Sequence, residues 1–362
     1  MKTYKLDDLK AMAALDKSGC LLSLKYFSKQ LKAAWGQANQ LILPEMPLPS
    51  RVLFCAMGGS AYAGRIIKDL YSDEAEVSFE VIDDYDLPKY ADDRTLIIAA
   101  SYSGNTEETL STFSQALARK IPLILVCGGG TLEKFGKQNN LPTYVFDGEF
   151  NPSKQPRLGQ GYMIASQLAI LAKMGLLKLS SGDFLKALDF LEEKNKLYPE
   201  HIPQAANPAK QIASQLEYTV AVLVAGDFLK GALHPVRNPL NETAKHFADY
   251  FVLPELNHHL LEGLQFPKEV AKTHKFVFIN STFYRNKIKL RLNLTETVVA
   301  KNGLTSQIIN LSGGSKITQV LELLQLFGFI SFYLAILHRV NPSPVPFVDF
   351  FKQKLNVKED TS

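Results

Sequence analysis

Two short segments of this 362-residue chain gather residue types suited to holding an anion: Gly58-Gly59-Ser60-Ala61 and Ser101-Tyr102-Ser103-Gly104-Asn105-Thr106. Glycines let a backbone approach an anion closely, and the hydroxyls of Ser60, Ser101, Ser103 and Thr106 are neutral donors. With Gly58 and Gly59 they could surround a phosphate monoester without any lysine or arginine. The Gly-Lys-Ser/Thr ending of a Walker loop and the Gly-x-Gly-x-x-Gly spacing of a dinucleotide site are both missing, which disfavours nucleotides. Either segment by itself reads more readily as a turn with a helix cap, Asn105 or Thr106 capping and Glu108 supporting the first turn. It is the pairing of the two that favours a ligand.

The elements around them bring the two segments together. Continuous apolar runs at 51–57, 95–100, 122–126 and 143–146 alternate with helical patterns at 61–71 and 107–119. Short, wholly apolar strands separated by amphipathic helices are what a parallel sheet covered on both faces requires, so the fold class is α/β, doubly wound. In such a sheet both segments lie at carboxyl ends of strands and face one crevice, with helix N-termini pointing into it. Helices at 162–174 and 184–197 follow. A polar stretch at 198–208 with three prolines then marks a boundary between domains at 1–200 and 201–362. The alternation resumes with strands at 218–225, 275–280 and 307–311 and a long helix at 316–338, without a visible sequence repeat.

Composition narrows the partners. Lys and Arg number 40 against 36 Asp and Glu, a formal charge of +4 dispersed along the chain, which argues against nucleic acid. Cys20, Cys55 and Cys127 have neither disulfide nor metal-ligand spacing and are expected to be packing thiols in a reducing cytosol. The polar start of the chain argues against a secretory signal. The longest apolar run, 326–337, is too short to span a bilayer and is expected to be a buried helix. A cytoplasmic protein with no membrane partner is the expectation.

Further along stand Gln155-Pro156-Arg157, Asn241-Glu242-Thr243-Ala244-Lys245 and Glu255-Leu256-Asn257-His258. With the two hydroxyl-rich segments, and in this order over about residues 50–355, they resemble the bifunctional phosphoglucose/phosphomannose isomerases, a branch of the sugar isomerase (SIS) domain proteins. The Ser-x-Ser-Gly-Asn-Thr element marks only an SIS domain that binds a phosphosugar, whereas the later elements narrow the resemblance to this branch. One departure is Tyr62-Ala63-Gly64-Arg65, which stands where a more glycine-rich turn is expected and bears on the sugar end of the pocket.

The resemblance implies two SIS-type doubly wound domains, each with a central parallel sheet flanked by helices. It implies a cofactor-free, metal-independent aldose–ketose isomerase of glycolysis and gluconeogenesis, interconverting glucose 6-phosphate, and mannose 6-phosphate, with fructose 6-phosphate through a cis-enediolate. Glu242 matches the family's base. Its neighbourhood reads as the first turn of a helix opened after Pro239, where the dipole would favour the ionised form. His258 is favoured over His259 as the residue that opens the pyranose ring, donated by the neighbouring subunit of a homodimer. Arg157 would stabilise the enediolate, and Lys352, with Lys354 as competitor, would contact the substrate ring oxygen or hydroxyls. Segment 341–345 with its small Ser343 is expected near C2 and C3, leaving room for either epimer.

Other readings remain: a non-catalytic SIS module that binds a phosphosugar and reports it, the isomerase half of glucosamine-6-phosphate synthase, and a heptose phosphate isomerase. The first would have no reason to keep Glu242, Arg157 and His258 together. The second normally follows a glutaminase whose nucleophilic cysteine begins the chain, and residue 1 here is Met. The third is usually a single-domain protein.

Overall fold

The computed structural model describes residues 6–43 and 46–355. Helices α1 (Leu9–Leu15), α2 (Cys20–Lys25) and α3 (Phe27–Ala38) lead into β1 (Arg51–Cys55). Then come α4 (Tyr62–Leu70), β2 (Ser78–Ile82), β3 (Thr95–Ser101), α5 (Glu107–Ala118), β4 (Leu123–Cys127), α6 (Gly130–Gln138) and β5 (Thr143–Val145). The five strands are parallel in the order β2-β1-β3-β4-β5. The central members β1, β3 and β4 are apolar at every position but Arg51, Thr95 and Ser101 at strand ends, because both faces are covered. Leu53, Cys55, Ile97, Ala99, Leu125 and Cys127 pack with Phe113 and Ala116 of α5, while Val52, Phe54, Ile98, Ala100, Ile124 and Val126 face the larger core on the other side.

Helices α7 (Gln160–Lys173), α8 (Ser181–Asn195) and α9 (Pro208–Leu216) connect to a second sheet. It is formed by β6 (Val220–Gly226), α10 (Lys230–Glu242), β7 (Ala248–Leu253), α11 (Val270–Thr273), β8 (His274–Asn280), α12 (Asn286–Lys301) and β9 (Thr305–Asn310). Its parallel order, β7-β6-β8-β9, repeats the first four positions of the first sheet. In each sheet the chain direction of strand placement reverses between the first and third strands, β1 and β3 or β6 and β8, and ligands of such sheets bind above that point.

Helix α13 (Lys316–Leu337) is buried at every residue from Ile317 to Leu337 and packs on α2, α8, α9 and α10; α14 (Pro346–Leu355) follows it. By length and composition α13 could cross a membrane, yet its whole apolar window lies inside the fold. Cys20, Cys55 and Cys127 are buried in the two cores, and desolvation pushes Cys20 and Cys55 up to about 12.

Candidate active site

The two hydroxyl-rich segments meet above β1 and β3. After β1, a 3-10 turn at Gly58–Ala61 starts with Gly58 at φ +49° and runs directly into α4. Ser60 is buried, and its hydroxyl accepts from the backbone N–H of Tyr102 at 2.9 Å, tying the first segment to the second. In the second segment the Ser101 hydroxyl lies 2.8 Å from that of Thr106 and 3.5 Å from that of Ser103, and it accepts from Gly104 N–H at 3.0 Å. Thr106 is the N-cap of α5, but no side chain caps this helix, and Asn105 instead accepts from Thr131 N–H at 3.0 Å. The capping role considered for Asn105 or Thr106 is therefore not what these side chains do. Among the described residues the first-turn N–H groups of α5 have no side-chain acceptor, at the positive end of the helix dipole.

A third loop, not singled out in the sequence, braces the second. Gly128 N–H donates to Tyr102 O, and Leu132 N–H to Gly104 O. The approach is so close that a Cβ on Gly104 would lie 1.8 Å from Gly129 O, and Gly104 also sits at φ +69°. Gly104→Ala is expected to lower stability by about 1–3 kcal/mol, checked by thermal denaturation.

Both segments abut the loop carrying Arg157. A Cβ on Gly59 would be 3.9 Å from the Arg157 backbone, and the Tyr102 hydroxyl accepts from Asn151 at 2.7 Å, which also donates to Gln155 O. Arg157 is 3% exposed and held from every side. Its Nε donates to the Thr243 hydroxyl, Nη1 to Gln155 Oε1, and Nη2 to the carbonyls of Pro342 and Ser343. Nη1 also lies 3.9 Å from Glu242 Oε2. A guanidinium has five N–H groups, so among the described residues one N–H on Nη1, the nitrogen facing Glu242, is uncommitted.

Glu242 is the last residue of α10, not the first-turn residue expected from Pro239. The helix begins at Lys230 and continues through both Pro235 and Pro239, because its apolar face, including Leu233, Val236 and Leu240, packs against α4 and α13. The negative end of the dipole therefore faces the carboxylate. Its pKa is raised, chiefly by burial, against the opposing pull of Arg157, Lys352, Lys245 and Arg237 in that order. Lys245, whose role the sequence did not suggest, stands at φ +52° with its ammonium donating to Thr243 O and Asn341 O. Burial first and Arg157 second bring it down to about 8.

The remaining candidates fall in different places. On α14, Lys352 is the lysine whose charge is felt at Glu242, while the Lys354 ammonium lies over the Phe350 ring. Ser343 is buried, with its hydroxyl accepting from Gln155. Tyr62 opens α4 as a fully buried side chain, its ring 3.8 Å from a Cβ placed on Gly59. His258 is exposed in a 3-10 turn after the edge strand β7, and no hydrogen bond joins it to Arg157 or Glu242 among the described residues. His259 beside it pairs with Glu255 at 2.8 Å.

A model of the SIS domain matches residues 49–134, which contain the hydroxyl-lined crevice, and a model of the bacterial phospho-glucose isomerase C-terminal SIS domain matches residues 205–355, which contain Glu242, His258 and Lys352. Two parallel sheets with a donor-lined switch point thus define a double SIS-domain protein. The bifunctional phosphoglucose/phosphomannose isomerase of Caldicellulosiruptor bescii is 29% identical over 84% of this chain and 89% of its own length. That of Aquifex aeolicus is 27% identical over 84% and 90%. The chain is similar to the members of this family over most of its length. In fold it is similar to a hypothetical protein from Thermus thermophilus, with a TM-score of 0.72 and 16% identity over 96% of this chain and 92% of that one.

Proposed function

We propose that the chain is an aldose–ketose isomerase that interconverts glucose 6-phosphate, and mannose 6-phosphate through the same enediolate, with fructose 6-phosphate. The observation that carries this reading is the uncommitted Nη1 N–H of Arg157, fixed beside Glu242 and against Gly59 of the crevice. In this reading the first domain, 1–200, holds the phosphate with Gly58, Gly59, Ser60, Ser101, Ser103 and Thr106. The second domain, 201–362, brings the base. Glu242 takes the proton from C2 of the open aldose and returns it to C1, and its raised pKa suits a base working nearer neutral pH. The Arg157 N–H stabilises the enediolate oxygen, preorganised by its other bonds, and Lys352 contacts the sugar.

His258 would open the pyranose ring from the neighbouring subunit of a homodimer. Support comes from its exposed ring, which has no hydrogen-bond partner among the described residues. Exposed apolar side chains of α14, Phe347, Phe350, Phe351 and Leu355, give such an assembly surface to bury. We infer a cytoplasmic setting for this reaction. Purified protein incubated with fructose 6-phosphate is expected to form glucose 6-phosphate and mannose 6-phosphate. Phosphosugar binding without turnover would favour the regulatory module instead.

The charges around Glu242 set a pH dependence. A base must be ionised, so kcat/KM falls as pH drops through its pKa, and burial places that acid limb above the ordinary carboxylate range. Because the Lys352 charge pulls this pKa down, Lys352→Met is expected to move the limb to higher pH. An unmoved limb in the pH profile of the variant would mean that Lys352 does not act on the base.

A further inference from the structure

The Tyr62-Ala63-Gly64-Arg65 departure opens α4, and α4 lies against α10, the helix that ends at Glu242. The two helices run antiparallel. Asp69 pairs with Lys230 at 3.5 Å, a Cβ on Gly231 would lie 2.1 Å from Arg65 O, and the Tyr62 ring meets the His234 ring edge-on at 6.1 Å. Gly231, His234, Asn238 and Glu242 recur at three or four residues and so share one face of α10. Each later turn of α10 comes opposite an earlier residue of the other strand of this pair, which brings Asn238 and Glu242 toward Tyr62 and the Gly58–Ala61 turn before it.

Tyr62 holds a polar atom that the fold does not use. Its side chain is fully buried, its ring 3.8 Å from a Cβ placed on Gly59, and its hydroxyl has no hydrogen-bond partner among the described residues. The neighbouring Asn238 amide is engaged elsewhere: Oδ1 accepts from Arg237 Nε at 2.9 Å and Nδ2 lies 3.2 Å from His234 Nε2. The Glu242 carboxylate, 36% exposed, likewise accepts no hydrogen bond among the described residues, with Arg157 Nη1 at 3.9 Å. An unpaired buried hydroxyl is costly, and an ionised carboxylate is the strongest acceptor it could take. Burial first and the Glu242 charge second raise the Tyr62 pKa, so the hydroxyl keeps its proton through the working range.

We propose that Tyr62 is a positioning residue for Glu242: with substrate in the crevice, its hydroxyl donates to one carboxylate oxygen and leaves the other turned to C1 and C2. This role rests on the reading of Glu242 as the base. The two groups do not touch in this structure, and a turn of the partly exposed Glu242 side chain toward α4 brings them together. A hydrogen bond to the ionised carboxylate favours that form and fixes the oxygen that takes the proton.

The test is Tyr62→Phe, which removes the hydroxyl and keeps the ring. With fructose 6-phosphate, kcat at neutral pH should fall about tenfold while KM stays within about twofold, as expected for one hydrogen bond to a charged group. The acid limb of the kcat profile, which reports the enzyme–substrate complex, should move up by about one pH unit, because the ionised base has lost a donor. The Tm should stay at or above that of the parent, since a hydroxyl without a partner stabilises nothing that Phe lacks. In a Glu242→Gln background Tyr62→Phe should cost no further turnover. An unmoved kcat limb, or a further loss in the double variant, overturns the role of Tyr62 and leaves Glu242 as the base. Parental turnover in Glu242→Gln alone, or none in the parent, removes the base and this role with it.

Discussion

Glu242→Gln is expected to lower kcat by on the order of 10²–10⁴-fold while binding fructose 6-phosphate within a few-fold of the parent. Gln keeps the shape and an acceptor oxygen but cannot take a proton at any pH in the working range. The phosphate donors lie on other elements, the turn after β1 and the loop before α5, so they are not disturbed. Substrate affinity and turnover should therefore separate cleanly in steady-state kinetics paired with calorimetric binding. A variant retaining turnover within tenfold of the parent would remove Glu242 from the reaction.

Arg157 should show the second large effect, of mixed character. Arg157→Lys keeps a positive charge but cannot reach Thr243, Gln155 and two carbonyls at once, because an ammonium has three donors and no fork. A loss of about 10²–10³ in kcat is expected from the missing N–H at the enediolate. Arg157→Ala adds a structural cost of about 3–5 kcal/mol, since the carbonyls of Pro342 and Ser343 and the carboxylate of Glu242 lose a buried partner. Thermal denaturation read beside kcat distinguishes the two: Lys should lose rate far more than stability, and Ala should lose both.

Much of this framework was legible in the residues. The central strands announce themselves as unbroken apolar runs, and β1 and β3 lead into the turn and loop that form the crevice. The edge strands β2 and β7 escaped because Glu80 and Asp249 interrupt their apolar pattern, as one-sided exposure at an edge allows. The helix around Glu242 was misread for a different reason. Proline is commonest at helix starts, and only the tertiary packing of α10 reveals that Pro239 lies inside one. The same limit hid the brace from Gly128 to Thr131, the grip of residues 342 and 343 on Arg157, and the placement of Lys245. These are contacts between segments distant in sequence, and no local spacing encodes them. The internal likeness of the two sheets was equally invisible, because it lies in strand order while the side chains have diverged.

A crystal structure with fructose 6-phosphate bound puts the central claim to the most direct test. The phosphate should rest among Ser60, Ser101, Ser103 and Thr106 at the α5 N-terminus, with C1 and C2 about 3–3.5 Å from the Glu242 carboxylate and Arg157 Nη1 touching the O2 side of the sugar. A ligand seated elsewhere, or a Glu242 carboxylate turned out of reach of both carbons, would contradict the account.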